Sequence, residues 1–292
     1  MRLSESEIKT LISVAGSDQP LRPGDLSRAL NLHPDTLSRL ITGLVDKGLL
    51  ERAGKNISIA GTPAAESFKK LYFAHRASPF PLLLADRRLD LLARLDGKDK
   101  SVEVLEEEAG IPRKTIYRYL KDFIRLGAVK SAKKGRAHLY SLNEILWPEI
   151  SGFASALQEY QAMRLVPREA LLIKGYEDGV LFKSMGPQDA TITSFSAYGD
   201  YGILLGLRDN YYTLPKRELS IEEVFIHSLD SAWEHTQKLF CVLFYLKNRN
   251  KLKAFDHPVM QNIKKVLQGE RIKGYPTKED IEDRLELYDI KL

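Results

Sequence analysis

The chain of 292 residues is 43% hydrophobic and 28% charged, a composition typical of a folded protein with core enough for two or three domains. No apolar run approaches the roughly 20 residues of a membrane span, and residues 1–10 are polar rather than signal-like, so we expect a cytoplasmic protein without a membrane partner. The single Cys241 excludes an internal disulfide and a cysteine-based zinc site.

Positive charge is concentrated in the first half of the chain. Residues 1–150 contain 25 lysines and arginines against 19 acids, whereas the remaining residues contain 19 against 20. The formal charge of +5 therefore arises in the first half. Because a cationic surface attracts anionic partners, we expect such a partner to bind there.

The first 60 residues predict three helices and a two-stranded hairpin. The predicted helices are 4–15, 25–30 and 34–47, and the hairpin is 49–59. Ser4 and Glu7 have the spacing of a capping box, and Asn31 suits a left-handed turn between the second and third helices. A fourth helix is predicted at 62–75. Ser78-Pro79-Phe80-Pro81 is then expected to form an extended linker, because proline ends helices and restricts the residue before it.

The most basic stretch lies between Arg113 and Arg136. It contains nine lysines and arginines and a single acid, Asp122, within 24 residues. Residues 102–109 predict a short helix, Gly110 a turn, and residues 113–126 a second helix. Its buried stripe is predicted to be Ile116, Leu120, Phe123 and Ile124. Gly127 ends this helix, and residues 129–142 predict two strands around a turn at Lys133-Lys134-Gly135-Arg136.

A short helix, a turn, a basic helix and a basic hairpin resemble the winged helix-turn-helix transcription regulators of the MarR and ArsR kind. The residues that carry the resemblance are Thr115-Ile116-Tyr117-Arg118-Tyr119-Leu120 and Leu126-Gly127-Ala128-Val129. The resemblance implies that residues 113–126 form the recognition helix for double-stranded DNA. The alternative is a winged helix that joins proteins, with a solvated basic face.

This unit occurs twice in the sequence. An offset of 79 residues superposes Leu26 on Leu105, Asn31 on Gly110, Thr36 on Thr115 and Gly48 on Gly127, which predicts two tandem winged helices. The copies differ in charge, since Asp35 stands where the second copy has Lys114. A carboxylate there repels phosphate, so we expect the first copy to bind DNA weakly or to contact protein.

We therefore expect DNA contacts mainly from the second copy, with one arginine from the first. The predicted DNA-binding residues are Arg113, Lys114, Thr115, Tyr117, Arg118, Lys121, Lys130, Lys133, Lys134, Arg136 and Arg39.

A long helix is predicted at 143–165, with small residues beside Leu157. Winged-helix regulators commonly dimerise through such a helix, which favours a homodimer. The alternative is a connector that packs on its own domain.

The last third of the sequence predicts an α+β domain. The predicted strands are 170–175, 179–184, 190–196 and 211–214. Ser220 and Glu223 form a second capping-box match, opening helical sequence that continues through Trp233 to about Lys247, and a final helix starts at 277–280. The stretches LSIEEVFIHSLDSA and LFCVLFYLKN resemble the C-terminal domain of AbiEi-type antitoxin regulators. That resemblance implies a nucleotidyltransferase toxin as protein partner.

Catalysis is the minority interpretation of this domain. His227, Asp230 and Glu234 have spacing that would place them on one helix face, but metal sites usually show tighter spacing, so a polar helix face is favoured. Residues 194–200 resemble a nucleotidyltransferase strand and turn only faintly, because the paired aspartates that hold Mg²⁺ are missing. We expect no cofactor, no metal and no catalytic residues.

Aromatic residues in turn-like sequence suggest a docking or sensing surface. Tyr198, Tyr201, Tyr211 and Tyr212 lie beside glycine, aspartate and asparagine, and aromatic side chains in loops are available to a protein partner or small-molecule effector. The alternative is that these residues belong to the core.

The sequence as a whole predicts a sequence-specific DNA-binding transcription regulator of α+β class. Its predicted parts are winged-helix domains at 1–77 and 82–143, a linker or dimerisation helix at 144–166, and a regulatory or partner-binding domain at 167–292. The alternatives are a winged-helix interaction adaptor and a nucleotidyltransferase-like enzyme.

Overall fold

A computed structural model describes residues 2–97, 99–135, 137–176, 179–252 and 257–290. The chain divides into two compact units, Met1–Gln161 and Ala162–Leu292. Both combine helices with small antiparallel sheets, so the protein is of mixed α+β class, as predicted. Within the described residues, every helix is too short or too polar to cross a membrane.

The first unit is mostly helical, with two hairpins. Its helices are α1 (Glu5–Ala15), α2 (Pro23–Leu30), α3 (Pro34–Asp46), α4 (Pro63–Ala74), α5 (Pro81–Leu84), α6 (Arg88–Arg94), α7 (Val102–Ala109) and α8 (Arg113–Arg125), followed by α9 (Glu149–Leu165), which runs into the second unit. Its strands are β1 (Leu50–Ala53), β2 (Asn56–Ile59), β3 (Val129–Lys134) and β4 (Ala137–Leu142). The hairpins β1–β2 and β3–β4 are antiparallel, as predicted.

The 79-residue offset recurs in the structure. Helices α2 and α7, and likewise α3 and α8, have identical lengths at this offset. Asn31 and Gly110 both adopt left-handed backbone conformations after the shorter helix, with φ of 51° and 55°. A backbone bridge joins Leu21 to Ile57 in the first copy and Lys100 to Tyr140 in the second. The sequence repeat is therefore a repeat of local structure.

The two copies share one hydrophobic core. The buried side chains form a single cluster that runs from Leu3 to Leu157. Within it, the ring of Phe68 on α4 lies 6.1 Å from that of Phe80 and 5.4 Å from that of Phe153 on α9. Neither copy is packed as a separate domain.

The segment between the copies is not the extended linker that the prolines suggested. Phe80 has helical backbone angles, and α5 begins at the next residue. Phe80, Leu83 and Leu84 are fully buried. Burial of these side chains stabilises a compact helical turn, and the predicted linker was wrong because that burial depends on distant partners.

Helix α9 begins at Glu149, later than predicted. Ile150, Phe153, Ala154 and Leu157 of this helix are buried in the core of the first unit. These contacts match the interpretation of a connector packed on its own chain.

The second unit is built on a four-stranded antiparallel sheet of order β5-β6-β8-β7. The strands are β5 (Leu171–Gly175), β6 (Val180–Ser184), β7 (Thr191–Ile192) and β8 (Asn210–Leu214); the helices are α10 (Ile221–Ser231), α11 (His235–Asn248), α12 (Pro258–Leu267) and α13 (Lys278–Leu285), with 3₁₀ helices at Ser194–Tyr201 and Glu286–Tyr288. One core packs α10 and α11 against the longer 3₁₀ helix.

Two predictions for the second unit need correction, and one helix was missed. The strand at 190–196 is only two residues long, because Ser194 has a φ of 51° and starts the 3₁₀ helix. The helix after Ser220 is interrupted between Ser231 and His235, where Glu234 is the N-cap of α11 and its backbone N–H donates to Gln237 Oε1 at 2.9 Å. Helix α12 was not predicted.

Gly48 provides a test of the packing in the first unit. Its φ is +70°, and an added Cβ would overlap the Tyr160 ring of α9. We expect Gly48→Ala to lower the free energy of unfolding by about 2–5 kcal/mol, because left-handed strain and overpacking contribute roughly 1–2 and 1–3 kcal/mol. The control is Gly54→Ala. Gly54 has a φ of +64° and open space around it, so this variant should lose only the part of the unfolding free energy that comes from backbone strain. Equal losses for both variants in urea denaturation would show that Tyr160 does not cover Gly48.

Candidate nucleic-acid interface

Helix α8 separates an apolar face from a cationic face. Ile116, Tyr119, Leu120 and Phe123 are buried, whereas Ile124 is exposed, so its predicted burial was wrong. At about 100° per residue, position 124 lies about 80° from position 116 around the helix, at the edge of the buried stripe. Tyr119 lies about 60° from position 116 on the other side and occupies the place in the buried stripe that was predicted for Ile124.

The opposite face of α8 carries the side chains predicted to meet DNA. Lys114, Arg118 and Lys121 point away from the core and are exposed, and the exposed Tyr117 lies at the side of this face. Thr115 is half-buried. Within the part of the chain that the structure describes, these three cations form no ion pair. They therefore present uncompensated positive charge to solvent.

Arg113 is placed differently from the other predicted contacts. Its Nη2 lies 2.9 Å from Glu106 Oε2, its Nη1 lies 3.5 Å from Glu103 Oε1, and its backbone N–H donates to Glu106 Oε1 at 3.1 Å. The Glu106 carboxylate therefore binds both the guanidinium and the first turn of α8. This arrangement ties α7 to α8 and partly neutralises Arg113.

Arg88 holds α8 from its inner side. Its Nη2 donates to Asp122 Oδ2 at 3.0 Å, its Nε donates to the Leu82 carbonyl at 3.0 Å, and its guanidinium lies 4.2 Å from the centre of the Tyr119 ring. Asp122, the lone acid of the basic stretch, is thus engaged from below. Its other oxygen, Oδ1, lies 3.4 Å from Nη2 of the exposed Arg125, so the carboxylate is paired on both sides.

The β3–β4 hairpin continues the basic surface. Lys130, Lys133 and Lys134 are exposed and, among the described residues, form no ion pair. Side chains alternate along a strand, so Lys133 lies on the same face as Val129, and Lys130 and Lys134 lie on the other. Gly135 takes a φ of +63° at the turn. Arg136, the remaining predicted contact in this hairpin, lies outside the described residues.

The first copy carries less charge on the corresponding helix. Arg39 is exposed on α3, as its predicted role requires, but the carboxylate of Asp35 is exposed on the same helix. Its hairpin is also shorter, with four-residue strands in place of six. The second copy is therefore the more cationic of the two.

The aromatic residues of the second unit do not form the predicted loop surface. Tyr198 is fully buried in the 3₁₀ helix, and its ring stacks on Phe244 at 4.1 Å. Tyr211 and Tyr212 are buried on β8, and Tyr201 packs at the edge of the core. Turn-like composition misled the prediction because burial here depends on helices distant in sequence. Trp233, at the break between α10 and α11, is 56% exposed.

His227, Asp230 and Glu234, whose spacing would place them on one helix face, bind different partners. The His227 Nδ1 lies 2.8 Å from Thr193 Oγ1, and Asp230 accepts from Lys174 Nζ and Tyr176 Oη at 2.6 Å. Glu234 instead caps α11. Among the described residues, there is no group of three side chains placed to bind a metal ion.

The pKa of Asp230 is shifted by burial and by its neighbours, which form a cluster of His257, Lys174 and Tyr176 around the carboxylate. Burial would by itself raise its pKa, but hydrogen bonds from His257, Lys174 and Tyr176 outweigh burial and lower the pKa to about 2. Asp230 joins β5, α10 and the start of α12. Asp230 thereby bridges three segments of the second unit.

No family model matches the sequence, and no curated protein matches it either.

The Asp230 cluster predicts a pH dependence of stability. A carboxyl with a pKa lowered from 3.8 to about 2 stabilises the fold fully above pH 4, and this contribution is lost as the pH falls towards 2. Asp230→Asn should destabilise the second unit at pH 6 but much less at pH 2.5. This gap is the difference in unfolding free energy between the wild-type protein and the variant. It should shrink by about 1–2 kcal/mol between pH 6 and pH 2.5, once solvent screening is allowed for.

Calorimetric unfolding of both proteins measures this gap, with the exposed Asp200→Asn as control. A gap that stays constant between pH 6 and pH 2.5 would contradict the proposed bridge.

Proposed function

We propose that the protein is a sequence-specific regulator of transcription that binds double-stranded DNA through two tandem winged helix-turn-helix copies. The observation that carries this proposal is the set of exposed cations on α8 and the β3–β4 hairpin that form no ion pair with described residues: Lys114, Arg118, Lys121, Lys130, Lys133 and Lys134. Cations left unpaired on adjoining elements favour a polyanionic partner.

The helix and the hairpin suit different parts of a duplex. An α-helix fits the major groove, where an arginine can donate to the O6 and N7 atoms of guanine, so Arg118 and Lys114 are the proposed base readers. A hairpin that projects lysines from both faces suits phosphates on either side of a groove. Lys130, Lys133 and Lys134 are therefore the proposed backbone contacts.

Contacts inside the protein support a fixed presentation of α8. Arg88 binds it through Asp122 and Tyr119, and Glu106 binds its first turn. A reading helix held from both sides loses little conformational freedom on binding. In this proposal Arg113 positions α8, and the other cations meet the DNA.

The second unit is the proposed regulatory part. It would take a protein partner, by the similarity to antitoxin regulators, or a small-molecule effector. A homodimer that reads inverted half-sites also belongs to this proposal, and a DNA-binding role implies a cytoplasmic location.

Substitutions in α8 and the β3–β4 hairpin test the proposed DNA contacts. Arg118→Ala should reduce discrimination between a selected duplex and a scrambled one by about 1–3 kcal/mol, because a base contact is lost. Lys133→Ala with Lys134→Ala should weaken binding to both duplexes alike and reduce the salt slope by about two units. Fluorescence anisotropy at several salt concentrations measures both effects, with a duplex selected from a random pool.

The control is Lys69→Ala with Lys70→Ala on α4, which removes the same charge from another exposed surface. Unchanged binding by the Arg118 and hairpin variants would refute the proposal. It would then favour an interaction adaptor.

A further inference from the structure

The first copy contains a groove between its hairpin and the start of α2. One cavity of about 350 Å³ is lined by Arg22, Pro23, Arg52, Gly54, Lys55 and Ile57. A second cavity of about 100 Å³ shares Pro23 and Arg52 with the first and extends to Ser27 and Ser38 on α2 and α3. We call these adjoining cavities the first-copy groove.

The charge of the first-copy groove is positive. Arg22, Arg52 and Lys55 are exposed and form no ion pair among the residues that the structure describes, and no described carboxylate lines either cavity. Arg52 Nη2 donates to Thr42 Oγ1 at 3.3 Å, which orients the guanidinium without neutralising it. The nearby Asp25 pairs with Arg28 at 2.6 Å.

Two of these three cations are absent from the second copy. At the 79-residue offset, Arg22 corresponds to Ser101 and Arg52 to Ser131, whereas Lys55 corresponds to Lys134. Ser101 caps α7 by accepting from the Val104 N–H, whereas Arg22 at the start of α2 makes no such cap. The second copy thus carries its charge on α8 and its longer hairpin, and the first copy carries charge in the groove.

We propose that the first-copy groove binds phosphates of the DNA backbone, as a second contact that does not depend on sequence. This inference rests on the proposed function of the second copy. Two guanidinium groups suit phosphate because each can donate two parallel hydrogen bonds. The larger cavity, of about 350 Å³, far exceeds the roughly 10–15 Å³ needed to hold one water, so it has room for a phosphate group.

The shared core links the first-copy groove to helix α8. Both copies belong to one compact unit, so the groove and α8 keep a fixed separation. If one duplex reaches both surfaces, the second contact forms at a high effective concentration. A contact that is weak alone therefore raises the affinity of the whole chain.

The test compares the full-length chain with Arg52→Ala/Lys55→Ala, with Lys133→Ala/Lys134→Ala and with the α4 control Lys69→Ala/Lys70→Ala. Binding of a selected 30-base-pair duplex is measured by anisotropy as a function of salt. The groove variant should reduce the salt slope by about two units for selected and scrambled duplexes alike, while discrimination between them stays unchanged. Arg22→Ala should reduce the slope by about one unit.

The possible outcomes distinguish the groove assignment from the proposed function of α8 and the β3–β4 hairpin. If only the hairpin variant weakens binding, and the groove variant matches the α4 control, the groove assignment is wrong and the proposed function stands. If neither variant weakens binding, both are wrong. Polyglutamate serves as a polyanion without phosphate. Equal losses of affinity for polyglutamate and duplex in the groove variant would show attraction to charge alone and would also overturn the assignment.

Discussion

The hydrophobic core shared by the two copies is the constraint on which the first unit depends. Short helices and two-stranded hairpins bury too little surface to be stable alone. Here the rings of Phe68, Phe80 and Phe153 join the first copy, the segment between the copies and α9 in one cluster. Because the apolar faces are used internally, the polar faces of α3 and α8 and both hairpins remain at the surface. The core thus fixes which side chains are available to a partner.

Charge is distributed over this common scaffold in two different ways. In the second copy, acids are engaged by internal partners, Asp122 by Arg88 and Glu106 by Arg113, and the outer lysines are left unpaired. In the first copy, Asp35 lowers the positive charge on the exposed face of α3. Positive charge lies instead between the hairpin and α2. In the proposed function the surface of the second copy reads bases, and the first-copy groove is proposed to bind phosphate.

Local signals predicted much of the fold, and long-range burial accounts for the errors. Capping residues and periodicity predicted α1, α3, α4 and α8 to within two residues, and the glycine in the turn at 133–136 predicted the long hairpin. Local sequence could not show that Phe80 is buried, so a proline-rich turn suggested a linker. Tyr198 and Tyr211 lie in turn-like sequence but are buried by helices far along the chain. For the site, exposure of Lys114 and Arg118 followed from helical spacing, whereas the pairing of Arg113 and the first-copy groove required tertiary contacts.

The most direct test of the account is to locate the β3–β4 hairpin on DNA. Cys241 is fully buried, and burial raises the pKa of its thiol, so it is protected from alkylation and a cysteine introduced at the surface can be labelled selectively. A DNA-cleaving iron chelate is attached at Lys133→Cys and, as control, at Lys69→Cys on α4. The account predicts that the chelate at position 133 cuts a few nucleotides beside the selected site and that the chelate at position 69 does not. Uniform cutting, or the same pattern from both positions, would contradict it.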